Sequence, residues 1–152
     1  MKSFRIRPTQ ALDVDLILSI LIEVASRVPI NLSTNEHIKA IREQIVQDCR
    51  APFSLAAVNE NEEVIGFLLA RKINWLDEEQ IHLRYAGVTA KAEGMGVFKK
   101  LIEREKQNGL PLVVEVKPDN DSRMVNRIMK YDFRPDNNAN MLSEYFYRWA
   151  EG

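Results

Sequence analysis

Tyr85-Ala86-Gly87-Val88-Thr89-Ala90-Lys91-Ala92-Glu93-Gly94-Met95-Gly96-Val97-Phe98 is the stretch on which the fold turns. It opens at the end of a strand that runs from Gln80 to Val88. A short loop follows, and two glycines start a helix from Gly94 to Gln107 with Val97, Phe98, Leu101 and Ile102 along one face. Backbone N–H groups at a helix start attract anions, and glycine lets a phosphate come close. A plain turn is the commoner use of two nearby glycines, so both uses stay open at this point. The spacing does not fit the six-residue dinucleotide fingerprint, and no Gly-Lys-Ser/Thr follows, which speaks against nucleotide hydrolysis.

Upstream of that strand, Phe53 to Val58 and Val64 to Ala70 are apolar runs joined by the turn-prone Asn59-Glu60-Asn61-Glu62, which predicts a hairpin. Before it, Ile38, Ile41, Ile45 and Cys49 recur at helical spacing behind Ser33 and Glu36, a capping-box pair. Cys49 reads as a small apolar residue of that stripe. An earlier helix has Thr9 as its cap, carries Leu12, Leu16, Ile17, Ile20, Leu21 and Val24 on one face, and ends at Val28-Pro29. Phe4 and Ile6 alternate with Arg5 and Arg7 in a first strand that Pro8 stops.

Downstream, Asn108-Gly109 ends the helix and Leu112 to Val116 is an interior strand. Ser122 to Lys130 is a helix with Val125, Ile128 and Met129 inward, and Met141 to Trp149 is a last strand. No repeat or linker divides the chain, so one domain over residues 1–152 is expected. The mixed order implies an α/β (α+β) sheet covered by helices.

Composition narrows the function. Of 152 residues, 45% are apolar and 28% charged, the balance of a packed core and not of a disordered chain. A net charge of −1 speaks against nucleic acid as the main partner. Cys49 is the single cysteine and His37 and His82 are the only histidines, so neither a disulfide nor a structural metal site is expected. A reducing cytoplasm is the expected compartment. The apolar stretch Leu16 to Ala25 is broken by Ser19 and Glu23 and is too short for a bilayer, so no membrane partner is expected.

On these residues the chain resembles the Gcn5-related N-acetyltransferase superfamily. The resemblance covers the whole element order and is sharpest from Ile81 to Phe133. That family's central motif is Gln/Arg-x-x-Gly-x-Gly/Ala after the fourth strand. With Val88-Thr89 and Leu101-Ile102 fixing the register, Glu93 stands where Gln or Arg is usual, Gly96 is the first glycine, and Phe98 takes the Gly/Ala place. Gly94 matches a glycine often found between. Asn120-x-Ser122-x-Met124 through Lys130-x-x-Phe133 is similar to the second motif, with Asp132 in place of its glycine and Ile128 where a tyrosine acid is usual.

The resemblance implies a mostly antiparallel sheet of about six to seven strands and about four helices, splayed between the fourth and fifth strands. Acetyl-CoA would be the co-substrate and an amine the acceptor. Pantetheine would lie in the gap beside Ala86, Gly87 and Val88. The pyrophosphate would rest on the backbone of Glu93, Gly94, Met95, Gly96, Val97 and Phe98, and Asn120 would face the pantetheine or thiol end. The amine would attack the thioester directly, and positioning would supply most of the acceleration.

His82 stands where histone-acetylating relatives carry a glutamate base, and an imidazole suits proton removal from an amine. A polar histidine on a half-exposed strand is an equally good account of it. Alternation puts Arg84 on the same face as His82. Tyr131, one turn beyond Ile128, is the substitute for the missing acid, with packing against the sheet as the plainer role. Glu78 and Glu79 read as loop charges, and Trp75 as packing or the lip of an acceptor mouth. A degenerate CoA-binding module without turnover and a plain α+β binding domain are the rival functions. The acceptor is not legible, and a homodimer is left open.

Overall fold

Residues 3–24, 32–75, 77–116, 124–135 and 146–150 are described by the structure, a computed structural model. Seven strands form one sheet in the order β1-β2-β3-β4-β5-β7-β6. They are β1 (Phe4–Pro8), β2 (Leu55–Asn59), β3 (Val64–Trp75), β4 (Glu78–Val88), β5 (Leu112–Glu115), β6 (Arg134–Pro135) and β7 (Phe146–Trp149). β1 to β4 pair antiparallel, β4 and β5 pair parallel, and β7 pairs antiparallel with both β5 and β6. The helices are α1 (Val14–Val24), α2 (Asn35–Cys49), α3 (Val97–Lys106) and α4 (Met124–Lys130). No described helix is long and apolar enough to cross a membrane.

Both faces of the sheet are covered, which is why β2 and β3 read as unbroken apolar runs. On one face Ala56, Val58, Phe67 and Leu69 meet Ile17, Ile20 and Leu21 of α1 and Ile45 and Cys49 of α2. On the other, Leu55, Ala57, Leu68, Ile81, Leu83 and Leu112 meet Val97, Leu101 and Ile102 of α3 and Ile128 of α4. Burial pushes the Cys49 thiol up to about 11, as suits a packing residue.

Several expectations shift. A 3-10 turn at Ala11–Asp13 precedes α1 and changes its phase, so Val14, Ile17, Ile20, Leu21 and Val24 are buried while Leu12 and Leu16 stand in solvent. Thr9 caps no helix; its hydroxyl donates to the Cys49 and Ser54 carbonyls. The cap of α2 is Thr34, whose hydroxyl accepts from His37 N–H, and not Ser33. β3 continues to Trp75 because it pairs with β4 along the whole hairpin. Met129 is exposed at the surface of α4. β6 is two residues long and has no pattern of its own. Val28-Pro29, Ser122 and Met141–Tyr145 lie outside the described residues.

Candidate active site

β4 pairs with β5 only through Ile81, His82 and Leu83, opposite Leu112, Val113 and Val114. Residues 84–88 run on along β3 alone, so the sheet opens between β4 and β5. The opening coincides with a bulge: Tyr85 pairs with Leu69 and Leu83 with Ala70, which leaves Arg84 without a partner in the ladder. A bulge puts neighbours on one face, and the Arg84 guanidinium lies over the Tyr85 ring, 5.7 Å from its centroid. Ala86 and Val88 are half-buried along the open edge. A Cβ on Gly87 would stand 2.9 Å from the Phe67 ring and 3.2 Å from Ile20, so glycine is needed there for α1 to approach the strand.

Past Val88 the chain makes a 3-10 turn at Ala90–Ala92. Ala90 N–H donates to the Glu23 carboxylate at 2.8 Å, which ties the end of α1 to this loop. Gly94 has φ +84° and Gly96 φ +78°, and a Cβ on either would meet nothing within 4 Å. They form the turn before α3 and are not its first residues, because a left-handed backbone cannot lie inside a right-handed helix. Among the described residues, the N–H groups of Gly94, Gly96, Val97, Phe98 and Lys99 have no hydrogen-bond acceptor. That is an anion-ready helix start facing open space. Glu93 and Lys91 are exposed, Met95 and Phe98 half-buried and Val97 buried.

The α1–α2 face holds a charged cluster. His82 is half-buried, with its ring centroid 6.3 Å from that of Phe146. Opposite it in the ladder stands Arg71. Asp48 of α2 is fully buried and accepts Arg71 Nε at 2.5 Å on one oxygen and Arg84 Nε at 3.0 Å on the other. Gln47 accepts from Arg71 Nη2 and Gln44 from Arg84 Nη2. At the far end of β4, Arg148 grips Glu78 through both oxygens and Gln80 donates to Glu78, which holds that carboxyl down at about 2. Glu78 and Glu79 thus both belong to β4 and are no loop charges, with Glu79 exposed beside Lys72. Trp75 ends β3, opposite Glu78.

Tyr131 is on the other side of the sheet. It packs against the α3–α4 core with its ring centroid 5.8 Å from that of Phe98, and burial raises its hydroxyl pKa. Ile81 and Leu83 flank His82 and belong to that same core, so His82 and Tyr131 are separated by the sheet. Ile128 is 1% exposed within the core. Asn120 lies outside the described residues. Asp48 and Arg71 were not singled out from the sequence. The signal was present: Asp48 interrupts the apolar stripe that holds Ile45 and Cys49, and a carboxylate there needs a cation.

No family model matches the sequence, and no curated protein matches it either. Solved structures are similar in shape. The PaiA N-acetyltransferase of Thermoplasma acidophilum, in complex with coenzyme A, has a TM-score of 0.73 at 16% identity, covering 98% of this chain and 99% of its own. Arabidopsis thaliana NAA60 with a bisubstrate analogue has a TM-score of 0.71 at 16% identity, covering 97% of each chain. A GNAT acetyltransferase from Brucella melitensis with acetyl-CoA has a TM-score of 0.63 at 16% identity, covering 99% of this chain and 89% of its own. At such identities the likeness is one of fold.

Proposed function

We propose, on the premise of a fold that is that of the Gcn5-related N-acetyltransferases, that this chain moves an acetyl group from acetyl-CoA to a primary amine, acting as one acyltransferase domain. The observation that carries this reading is the opening of the sheet after Leu83, followed in the chain by a glycine turn with unpaired N–H groups. Pantetheine occupies the opening beside Ala86, Gly87 and Val88. The pyrophosphate takes the N–H groups of Gly94, Gly96, Val97, Phe98 and Lys99, because those of Glu93 and Met95 already donate to the Ala90 and Ala92 carbonyls. Asn120 is proposed at the thiol end.

In the reaction the amine nitrogen bonds to the thioester carbon and the carbon–sulfur bond breaks. The ammonium proton leaves through His82, and the thiolate takes a proton from Tyr131 or water. His82 approaches from the α1–α2 face and Tyr131 from the α3–α4 face, which keeps the two transfers apart. The raised Tyr131 pKa keeps its proton in place. No metal is part of the proposed chemistry, and a cytoplasmic location is proposed because the single cysteine, Cys49, leaves no internal disulfide to form. The buried Ile128 favours one second reading, a CoA-binding module without turnover.

Calorimetric titration with acetyl-CoA, followed by thiol release across a library of primary amines, tests both. Heat and thiol release are expected. Heat with no release from any amine leaves the binding module, and no heat removes both readings.

A further inference from the structure

Asp48 is fully buried, yet it faces two guanidinium groups. One carboxylate neutralises one of them, so the clamp carries a surplus positive charge. The arrangement also fixes where that charge sits. Each Nε is committed to Asp48 and each Nη2 to a glutamine, Gln47 for Arg71 and Gln44 for Arg84. The Nη1 of each makes no hydrogen bond to a described residue, and about a third of each side chain is open, 33% for Arg71 and 30% for Arg84. Two forks are thus held rigid from behind with donors left over in front, the geometry that recognises carboxylate and phosphate.

No carboxylate other than Asp48 pairs with Arg71 or Arg84 among the described residues, although Glu23 at the end of α1 and Glu115 also bring negative charge to this face. Arg148 and Glu78 neutralise each other farther along β4. Glu115, exposed on β5, forms no ion pair among the described residues. The position is informative as well. Arg71 is directly opposite His82, and Arg84 is the bulge residue at which β4 leaves β5, two positions before Ala86. An arginine serving only to satisfy Asp48 could come singly; the second one brings a charge to the mouth of the opening.

We propose that Arg71 and Arg84 form a subsite for an anionic group, a carboxylate or a phosphate, carried by the amine acceptor. The inference rests on the acetyl-transfer reading above and names its substrate class. Strands stand about 4.8 Å apart, so a group on this clamp lies roughly 5–10 Å from an amine at the β4–β5 opening. Amino acids with a chain as long as 4-aminobutyrate or 6-aminohexanoate, and phosphorylated amino alcohols, span that distance, whereas diamines place a second cation against the clamp. Arg71 and Arg84 are then specificity-determining residues that act by position and charge, and the proton chemistry lies elsewhere.

The test uses the wild-type protein with matched acceptors: glycine, β-alanine, 4-aminobutyrate and 6-aminohexanoate against their amides, O-phosphoethanolamine against ethanolamine, and 1,4-diaminobutane. Thiol release is read as kcat and KM separately. Preference for the acid or phosphate member of a pair by roughly tenfold to hundredfold in kcat/KM, mostly in KM, is the expected result. The carboxylate and phosphate series show which anion is taken. In Arg84→Gln, where Asp48 keeps Arg71, the preference should shrink toward unity while acetyl-CoA affinity holds. Equal use of acids, amides and the diamine by a wild-type protein that binds acetyl-CoA overturns the proposal.

Should acetyl-CoA give neither heat nor turnover, the acetyl-transfer reading has failed and the anion subsite is tested alone. The Arg71 and Arg84 Nε–H resonances, assigned with Arg71→Lys and Arg84→Lys, are followed during titration with inorganic phosphate and with propionate. Saturable shifts at both arginines support the subsite. Their absence at millimolar probe overturns it.

Discussion

Asp48 on one face of the sheet and Glu105 on the other are fully buried carboxyl groups held in opposite ways; Asp13, the third buried carboxyl among the described residues, pairs with Arg7. Asp48, under α2, meets two guanidiniums and two glutamine side chains. Glu105 of α3 is equally buried and forms no ion pair among the described residues. One oxygen accepts from the Asn108 amide at 3.2 Å and the other has no partner among the described residues, so burial pushes its pKa up to about 8. The first carboxyl is held by charge, the second by giving charge up. The contrast divides the labour of the molecule. Charge is concentrated on the α1–α2 face, around His82 and the sheet opening, while the α3–α4 face keeps its interior nearly neutral.

The sharpest way to break this contrast is Asp48→Ala. It strands two arginines whose other sides are packed, and removing one partner of a buried pair is costly. Their partial exposure tempers the loss to about 3 kcal/mol, read from urea denaturation. A loss too small to resolve would mean that Arg71 and Arg84 turn to water without cost and that Asp48 organises nothing.

Glu105→Gln should act in the opposite sense. The folded pKa lies above the ordinary 4.5, so the folded protein holds a proton between about pH 4.5 and 8 that the unfolded chain has released. Its contribution is complete below the lower value and is lost as pH rises through the upper one. The amide should therefore stabilise the protein at pH 9 by on the order of a few kcal/mol relative to wild type, and flatten stability between pH 5 and 9. Parallel wild-type and variant curves across that range would contradict it.

Activity gives a third contrast. His82→Ala should lower turnover by at least ~100-fold and remove the rising limb of the pH–rate profile, with acetyl-CoA affinity held. Tyr131→Phe should lower it less, because water can still protonate the thiolate. Wild-type rates in His82→Ala across the pH range would make His82 a packing residue. The smallest effect belongs to Glu78→Gln. The pair with Arg148 is partly exposed, so its contribution is under ~1 kcal/mol. It is present above pH 4.5 and lost as pH falls through about 2, which acid denaturation of both proteins would show.

Much of the fold was legible because it rests on local pattern. The Val64–Ala70 and Leu112–Val116 runs, the two glycines and the Cys49 stripe all report covered faces or a turn. What was not legible depends on partners far along the chain. Arg84 and Asp48 are 36 residues apart; the apolar stripe around Asp48 calls for a cation but does not say which one supplies it. The three-residue turn before α1 shifts the helix phase and exposes Leu12 and Leu16, a change of angle that hydropathy spacing averages away. The site divides along the same line. That His82 falls on the fourth strand followed from order and spacing, and the opening beside it from the family resemblance, whereas the sheet that separates His82 from Tyr131 and the clamp opposite it required the three-dimensional register.

The Arg84 bulge has a consequence for how β4 tolerates change in length. It contributes one residue that β3 does not count, so Leu83 and Tyr85 flank an insertion in the strand's own alternation. Deleting residue 84 closes the ladder and leaves Ile81, Leu83, Tyr85 and Ala86 on the faces they already occupy. Deleting a residue earlier in β4, Gln80 for example, slides the preceding segment by one place and moves the exposed Glu79 into a buried position. The strand is therefore punctuated: at a single point its length is decoupled from its packing, and there it carries an arginine at the edge of the opening.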